Sequence, residues 1–570
     1  MTVSTEGKPA EGERDPAAAE APPDPKRWAA LGIVLLAAFM DLLDVTIVNV
    51  AIPSIQRDIG AGYAAVSWIT AGYALAFAAL LITCGRLGDI YGRRKMLLWG
   101  IATFTITSVL CGVASDPGML ITARILQGAS AALMIPQVLS IIHVTFPASE
   151  RGKVFGMYGA VGGLAVVSGP VLGGLFVEAD LFGLAWRPIF LVNIPVGILG
   201  FIGALYLVRE SRDTKASRVD PIGVLLATSA VLLLVYPLIQ GRENDWPVWG
   251  FVMMAGSLLV LAAFIAHQRS VMARGGSPLV ALNLFRARSF AGGFSVNLLT
   301  NVTNGAFFLM WTLYMQIGLG WSAIHAGLTG LAFFIGLALA AGMAVEYLTP
   351  KFGRKVLFAG GLLMMAGATL FVFVSDRYGP DITSWQMAPP LFIMGLGMGY
   401  IVAPVLDFAL TEVPHSVAGS ASGVLNTTQQ LGNAVGIALV SVLFLAALPG
   451  QSDKGVDYVA DDIRQELTTA GVPDPVQDQI LAGYRVCVHD RMEEKDSTVV
   501  PESCRTEPPA EVPAAAAAEI ERVLTEHGAD AQAETFSRAY RVGLMWVLGV
   551  MAVMTLLMVS LPRFATPQQH

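Results

Sequence analysis

Fourteen stretches of about 20 predominantly apolar residues recur along this chain, each long enough to cross the hydrocarbon core of a bilayer as a helix. They begin near Trp28, Val66, Met96, Met119, Val154, Pro188, Ile222, Val248, Phe290, Ile324, Val356, Met387, Ser420 and Arg541. Inside lipid every backbone polar group needs a partner within the chain, so runs of this length predict helices. Composition agrees. Only 14% of the 570 residues are charged and 54% are hydrophobic, whereas soluble domains carry roughly 25% charged residues. The mean hydropathy is +0.61. An all-α integral membrane protein is therefore expected.

Basic residues orient the spans. With the N-terminus in the cytoplasm, the short cytoplasmic segments hold twenty Lys and Arg, and the short outside loops hold four, Arg57, Arg187, Arg242 and Arg377. The bias of Lys and Arg toward the cytoplasm then places both termini inside, which requires an even number of spans. Residues 449–540 fall outside and carry nineteen acids against eight bases, a balance of −11 within a net charge of −7. No segment reads as a nucleic-acid surface. The first span is not a signal peptide: it follows a tail rich in Ala, Pro and Glu and contains Asp41 and Asp44. The tail is too poor in apolar residues to fold and is expected to be disordered.

Cys84 and Cys111 lie in spans and read as small buried hydrophobes. Cys487 and Cys504 both fall in the outside segment, where oxidising conditions predict a disulfide between them. The seven histidines are scattered and form no metal-ligand pair, and neither a phosphate-binding G-x-x-x-x-G-K-[ST] loop nor a G-x-S-x-G nucleophile elbow occurs. ATP coupling, metal chemistry and enzyme activity are not expected.

Chemistry concentrates in a few polar positions within the apolar runs. Span 1 reads Phe39-Met-Asp-Leu-Leu-Asp-Val-Thr-Ile-Val-Asn-Val-Ala-Ile-Pro53. Asp41 and Asp44 lie three apart, near one helix face. A carboxylate at membrane depth costs about 2.5–3.5 kcal/mol on insertion scales and is by default functional. A buried carboxyl beside a cation that moves with conformation can bind a proton on one side and release it on the other. Span 4 offers that cation, Arg124 in Ala123-Arg-Ile-Leu-Gln-Gly128, with Asp44 or Asp41 as its partner. Asp407, near the inner end of span 12, is a weaker candidate proton site.

Span 5 concentrates Gly162, Gly169, Pro170, Gly173 and Gly174, small residues that allow close helix approach and a kink. Between spans 2 and 3 runs Gly85-Arg-Leu-Gly-Asp-Ile-Tyr-Gly-Arg-Arg-Lys95. Its Asp89 is a carboxylate at a cytoplasmic helix end, able to cap the N-terminus of another helix. Span 9 carries Asn297, Asn301, Asn304, Phe308 and Trp311 on one helix face, with Tyr314 beyond, and span 13 carries Asn426, Gln430 and Asn433. Packing between helices would explain these stripes. So would a cavity for amphipathic molecules, with the aromatic rings stacking on a cation.

The Gly85–Lys95 run, with its Gly85, Asp89, Gly92, Arg93 and Arg94, resembles the loop between the second and third helices of the major facilitator superfamily, and the resemblance implies that Asp89 caps the start of span 13 near Gly419–Gly423 and latches the cytoplasmic side. The span 1 run resembles the corresponding motif of its fourteen-span drug:proton antiporter family. Arg124 resembles the superfamily's span 4 proton-relay position, and the span 5 glycines resemble the antiporter motif. Trp186-Arg-Pro-Ile-Phe-Leu-Val-Asn-Ile-Pro195 is similar to the start of span 6 in that family. The resemblance implies a major facilitator fold: a six-helix bundle over 28–208, two extra central helices in 209–288, and a second bundle over 289–448 and 541–563. Residues 1–27 and 564–570 are cytoplasmic tails, and 449–540 form an outside helical insert. A faint repeat, Leu87–Lys95 echoed by Leu348–Lys355 without the Asp, fits paired halves. The resemblance further implies export of small amphipathic compounds in exchange for protons, by a monomer in a bacterial plasma membrane surrounded by lipid, with no cofactor beyond the proton. An exporter of one endogenous metabolite or lipid-like molecule is the alternative, and a non-transporting membrane sensor or scaffold the remoter one.

Overall fold

The structure is a computed structural model of the full chain and describes residues 25–212, 220–241, 244–276, 278–413, 418–494, 500–505 and 514–564. The predicted tails, 1–27 and 564–570, fall almost entirely outside the described residues.

The first unit comprises α1 (Arg27–Ile59), α2 (Tyr63–Tyr91), α3 (Arg93–Gly112), α4 (Pro117–Thr145), α5 (Ala148–Glu178) and α6 (Asn193–Leu207). A hairpin follows, α7 (Pro221–Gln240) and α8 (Val248–Ala273). The second unit holds α9 (Arg288–Leu313), α10 (Ala323–Met343), α11 (Lys355–Tyr378), α12 (Ser384–Leu410) and α13 (Ala418–Leu443). Helices α14 (Ser452–Thr469) and α15 (Asp474–Glu493) then precede α16 (Ala514–Leu557), the last span. Among the described residues thirteen helices are long and apolar enough to cross a membrane. Helix α9 matches them in length but carries Asn297, Thr300, Asn301, Thr303 and Asn304, and with it the fourteen expected spans are all helical.

Local chemistry sets the ends of these helices. Asp116 caps α4, accepting from the Met119 amide at 2.9 Å, with Pro117 at the first helical position where no donor is required. Asp220 and Pro221 start α7 in the same way, and Thr383 with Gln386 forms a capping box on α12. Span 6 departs from the single helix expected. A turn at Pro188–Leu191 precedes α6. Pro195 has no N–H to offer the Leu191 carbonyl, so the hydrogen-bond ladder breaks there and Asn193 sits at the break.

Within the first unit α2 and α3 pack on α4, and α1 on α5. Within the second, α10 and α11 pack on α12, and α9 on α13. The two units meet along α2–α13 and α5–α10, and the α7–α8 hairpin leans on both α2 and α13. Two faces result. The loop face carries Gly85–Lys95. The opposite, cap face carries α14, α15 and the first part of α16.

The cap has its own apolar core, with Val456, Val459, Ile463, Leu467, Leu481 and Val523 buried. Cys487 and Cys504 are bonded, joining α15 to the segment before α16. Helix α16 runs 44 residues without a break, about 66 Å at the α-helical rise, so one rigid rod serves as cap helix and last span. It is fastened where the two meet. Gln532 donates to the Ile317 carbonyl at 2.6 Å. The Glu534 carboxylate, 3% exposed, forms an ion pair with Arg538 at 2.5 Å and accepts from Arg541 at 3.3 Å, and Arg541 also pairs with Asp376 of α11. The cap therefore rests on the second unit.

Candidate functional site

Asp44 lies midway along α1 and is completely buried, and the Arg124 guanidinium, 2% exposed, meets it at 2.5 Å. An ion pair taken this far from water survives only if its remaining hydrogen-bonding capacity is met. Here it is. Gln127 Nε2 and Asn193 Nδ2 donate to the second carboxylate oxygen at 2.8 and 2.9 Å. Arg124 also donates to Gln127 Oε1 at 2.7 Å and to the Ile69 carbonyl at 3.1 Å, and its guanidinium lies 4.3 Å from the Tyr73 ring centroid. Ser108 accepts from Gln127 at 2.9 Å and from Asn193 at 3.3 Å. Helices α1, α2, α3, α4 and α6 thus converge on one carboxylate.

Sequence reading left Asp41 and Asp44 as equal partners for Arg124; the fold pairs it with Asp44. Asp41, 5% exposed, accepts a hydrogen bond from the Tyr73 hydroxyl instead and pairs with no cation among the described residues. Tyr73 therefore touches both acids' surroundings, its hydroxyl on Asp41 and its ring under Arg124. Tyr73, Ser108, Gln127 and Asn193 were not anticipated as site residues. Gln127 stands one turn from Arg124 and Asn193 stands in the Trp186–Pro195 run, which are the only sequence signals for them.

The span 5 glycines work as close-contact points. A Cβ on Gly169 would lie 2.0 Å from Thr46 Oγ1, and one on Gly173 would lie 3.0 Å from Ile47, so α5 is seated directly on α1 beside the Asp44 turn. A Cβ on Gly174 would lie 2.4 Å from the Ile324 Cα of α10, and Gly327 faces the Pro170 carbonyl. Glu178 accepts from the Ile324 amide at 3.3 Å. On the cap face, then, the two units touch backbone to backbone. Gly162 makes only ordinary contact with Leu42.

In the loop motif, Asp89 pairs with Arg93 at 2.7 Å. The expected latch onto the start of α13 near Gly419–Gly423 falls largely on positions, 419, 420 and 422, whose side chains lie outside the described residues. Gly92 has φ +111, a backbone state that favours glycine, and a Cβ there would meet the Glu210 carboxylate at 2.6 Å. Glu210, which the sequence did not single out, accepts from the Arg94 and Lys95 amides, both at 3.1 Å, and so caps α3 from the end of span 6. Arg94 reaches the Leu205 carbonyl. A Cβ on Gly85 would contact Pro136 of α4 at 3.5 Å.

Several substrate candidates make contacts between helices. Asn297 donates to the Leu425 carbonyl of α13 at 2.8 Å, and Asn301 donates to the Asn297 carbonyl at 2.8 Å, so this part of the α9 stripe serves helix packing. Trp311 is 5% exposed against Gly330, and Tyr314 is fully buried, stacked on Tyr540 at 4.9 Å. Neither faces an open cavity, because α10 and α16 cover that end of α9. Asn304, Asn426 and Gln430 stay half-buried without hydrogen-bond partners among the described residues. Asp407 lies within one turn of the loop-face end of α12 and is exposed. Among the described residues no group of three or more His, Cys, Asp or Glu could hold a metal.

Residues 34–437 match the family model described as Major Facilitator Superfamily. The chain is 41% identical over 548 residues to the probable actinorhodin transporter of Streptomyces coelicolor, covering 96% of this chain and 94% of that protein. It is 35% identical to a puromycin resistance protein of Streptomyces alboniger, over 82% and 88% of the two chains. It is 31% identical to the tetracenomycin C resistance and export protein of Streptomyces glaucescens, over 73% and 76%. Among solved structures, a bacterial homologue of the human lysosomal transporter Spinster in an inward-facing, occupied conformation superposes with a TM-score of 0.58 at 14% identity, covering 94% of this chain and 96% of that one. That likeness concerns the fold. The matched family model and these relatives agree with the fourteen helices and the five-helix polar site: the chain belongs to the major facilitator superfamily of membrane transporters.

Proposed function

We propose that this protein is a drug:proton antiporter that exports amphipathic antibiotic- or dye-like compounds across the cell membrane by alternating access of its two helical units. The observation that carries the reading is the Asp44–Arg124 pair, fully enclosed yet built from residues on five helices. A carboxylate so placed binds a proton when its guanidinium withdraws and loses it when the pair re-forms. Any rearrangement of α1 against α4 alters that distance, so protonation and conformation are linked. Asp41 stands one turn nearer the loop face and is assigned as the relay to that side, with Tyr73 between the two acids. The names of the relatives, which speak of transport, resistance and export of antibiotics, support the substrate class.

The distribution of Lys and Arg supports a cytoplasmic loop face, cytoplasmic termini and an outside cap. The contacts of Gly174 and Glu178 with Ile324 then close the outside, and motion about α5–α10 would open it. Substrate contacts are assigned to Asn304, Asn426 and Gln430, whose amides have no hydrogen-bond partner among the described residues. One proton moving through 100 mV supplies about 2.3 kcal/mol. That sustains roughly a fifty-fold gradient of a neutral compound at about 1.4 kcal/mol per tenfold. No cofactor other than the proton is required, and a monomer in lipid suffices. A narrower reading, export of one metabolite, draws support from relatives named for a single compound each.

Reconstituted vesicles with an imposed pH gradient test the proposal. Wild-type protein should move ethidium or a similar dye against its gradient, and Asp44→Asn protein inserted to the same level should not. Equal pumping by the variant, or wild-type transport indifferent to the pH gradient, would remove proton coupling from the account.

A further inference from the structure

A cavity of about 1060 Å³ opens between the α7–α8 hairpin and the α2–α13 seam. It is separate from the Asp44 site and lies on the flank of the molecule. Its size is at the upper end of the roughly 300–1,000 Å³ of small-molecule sites. The walls are nearly all apolar, among them Trp68, Ala79, Ala227 and Phe264, and the hydroxyl of Thr427 lies in them buried without a hydrogen-bond partner.

The exception is one end. Arg269, near the close of α8, and Arg286, just before α9, both line the cavity and are exposed. Neither makes an ion pair with an acid among the described residues. That end belongs to the loop face, since Arg86 of the loop motif donates to the Pro278 carbonyl between those two helices at 2.8 Å. Apolar walls running inward from two unpaired guanidinium groups at headgroup depth match a molecule with hydrocarbon chains and an anionic head. Basic pockets of this kind between transmembrane helices bind anionic lipid headgroups, and the planar guanidinium presents paired donors to a phosphate.

We infer that this cavity is a binding site for an anionic phospholipid of the leaflet at the loop face, its phosphate on Arg269 and Arg286 and its chains between the α7–α8 hairpin and the α2–α13 seam. The leaflet's assignment as cytoplasmic rests on the orientation proposed above; the site itself does not. Helix α7 leans on both α2 and α13, one from each unit. A lipid seated there contacts the seam along which the two units move, so occupancy would bias their relative position.

The test uses the full chain in nanodiscs of equal parts dioleoyl phosphatidylglycerol and dioleoyl phosphatidylcholine, released for native mass spectrometry. Phosphatidylglycerol should be retained in preference to phosphatidylcholine. Each lost guanidinium should weaken retention about five-fold, so the Arg269→Gln/Arg286→Gln protein should hold it roughly twenty-five-fold less well. Ala227→Phe, which fills the cavity without changing charge, should also displace it. Equal retention of both lipids, or unchanged phosphatidylglycerol retention in the arginine variant or in Ala227→Phe, would overturn the assignment. Displacement of the lipid by transported dye, with the arginine changes raising KM for dye, would mark the cavity as a substrate portal and equally overturn it. Lipid lost from the arginine variant while Asp44→Asn retains it separates this site from the proton site.

Discussion

Replacing Asp44 by Asn removes one charge from a place where no water can compensate for it. The amide cannot serve the three donors that now converge on the carboxylate, at 2.5, 2.8 and 2.9 Å. Whichever way it is turned, its NH2 faces either Arg124 or the amides of Gln127 and Asn193. Arg124, 2% exposed, is left with the Ile69 carbonyl, Gln127 Oε1 and the Tyr73 ring. Breaking a buried pair by removing one partner typically costs about 3–5 kcal/mol, and Asp44→Asn is expected in that range. Arg124→Gln strands the opposite charge but leaves two amide donors on Asp44, so about 3 kcal/mol is expected. The double variant removes both charges of the pair. Its loss should fall well short of the sum, giving a coupling of about 2–3 kcal/mol. Denaturant unfolding of the four proteins in one detergent, followed by fluorescence, measures the cycle. Losses that add within about 0.5 kcal/mol would mean that the two groups do not depend on each other, and the argument from enclosure would fail. The double variant is further expected to fold well and transport nothing, which separates stability from coupling.

Four further outcomes are expected. Gly169→Ala should impair dye transport more than tenfold and lower stability by about 1–3 kcal/mol, the usual cost of overpacking, because its methyl would strike Thr46; efflux and melting assays on the same preparation check both. Glu210→Ala should cost about 1–2 kcal/mol through the lost cap on α3, and full stability in a melting assay would contradict the assigned role. In the cap, the His527 ring and then Arg522 hold the Glu466 carboxyl below its ordinary value of 4.5. A lowered value in the folded state means stabilisation that is present above 4.5 and lost as pH falls through the folded value, so the protection factors of α14 amides, taken relative to the intrinsic exchange rate at each pH, should fall on acidification below that point, and unchanged protection would refute the contact. Non-reducing mass mapping should recover Cys487 and Cys504 in one linked peptide, and two free thiols would contradict the bond.

The fold was legible because a bilayer demands long apolar helices and the chain supplies fourteen. Only α9 strained that reading, its asparagines lowering its apolarity while serving the contact with α13. The proton site was half legible. Asp44 and Arg124 stood out because a charge within an apolar run is costly, but their pairing depends on how α1 and α4 rotate against each other, which no local spacing specifies. Tyr73, Ser108 and Asn193 stayed hidden because a single tyrosine, serine or asparagine in a span is common. Trp311 and Tyr314, on the same stripe, are buried against neighbouring helices. Helical periodicity identifies a shared face but not what covers it, and there the cover is α10 and α16. Glu210 lies on the far side of four helices from the amides it caps, and only the fold brings it to them.

The central claim is that Asp44 carries the proton that export releases, and proton release on substrate addition tests it most directly. Purified protein in lightly buffered detergent would be mixed with a panel of lipophilic dyes and antibiotics, and the pH of the medium followed. The account predicts release of protons by wild-type protein with at least one compound, and none by folded Asp44→Asn protein. Undiminished release from the variant would move the proton to another group and contradict the account.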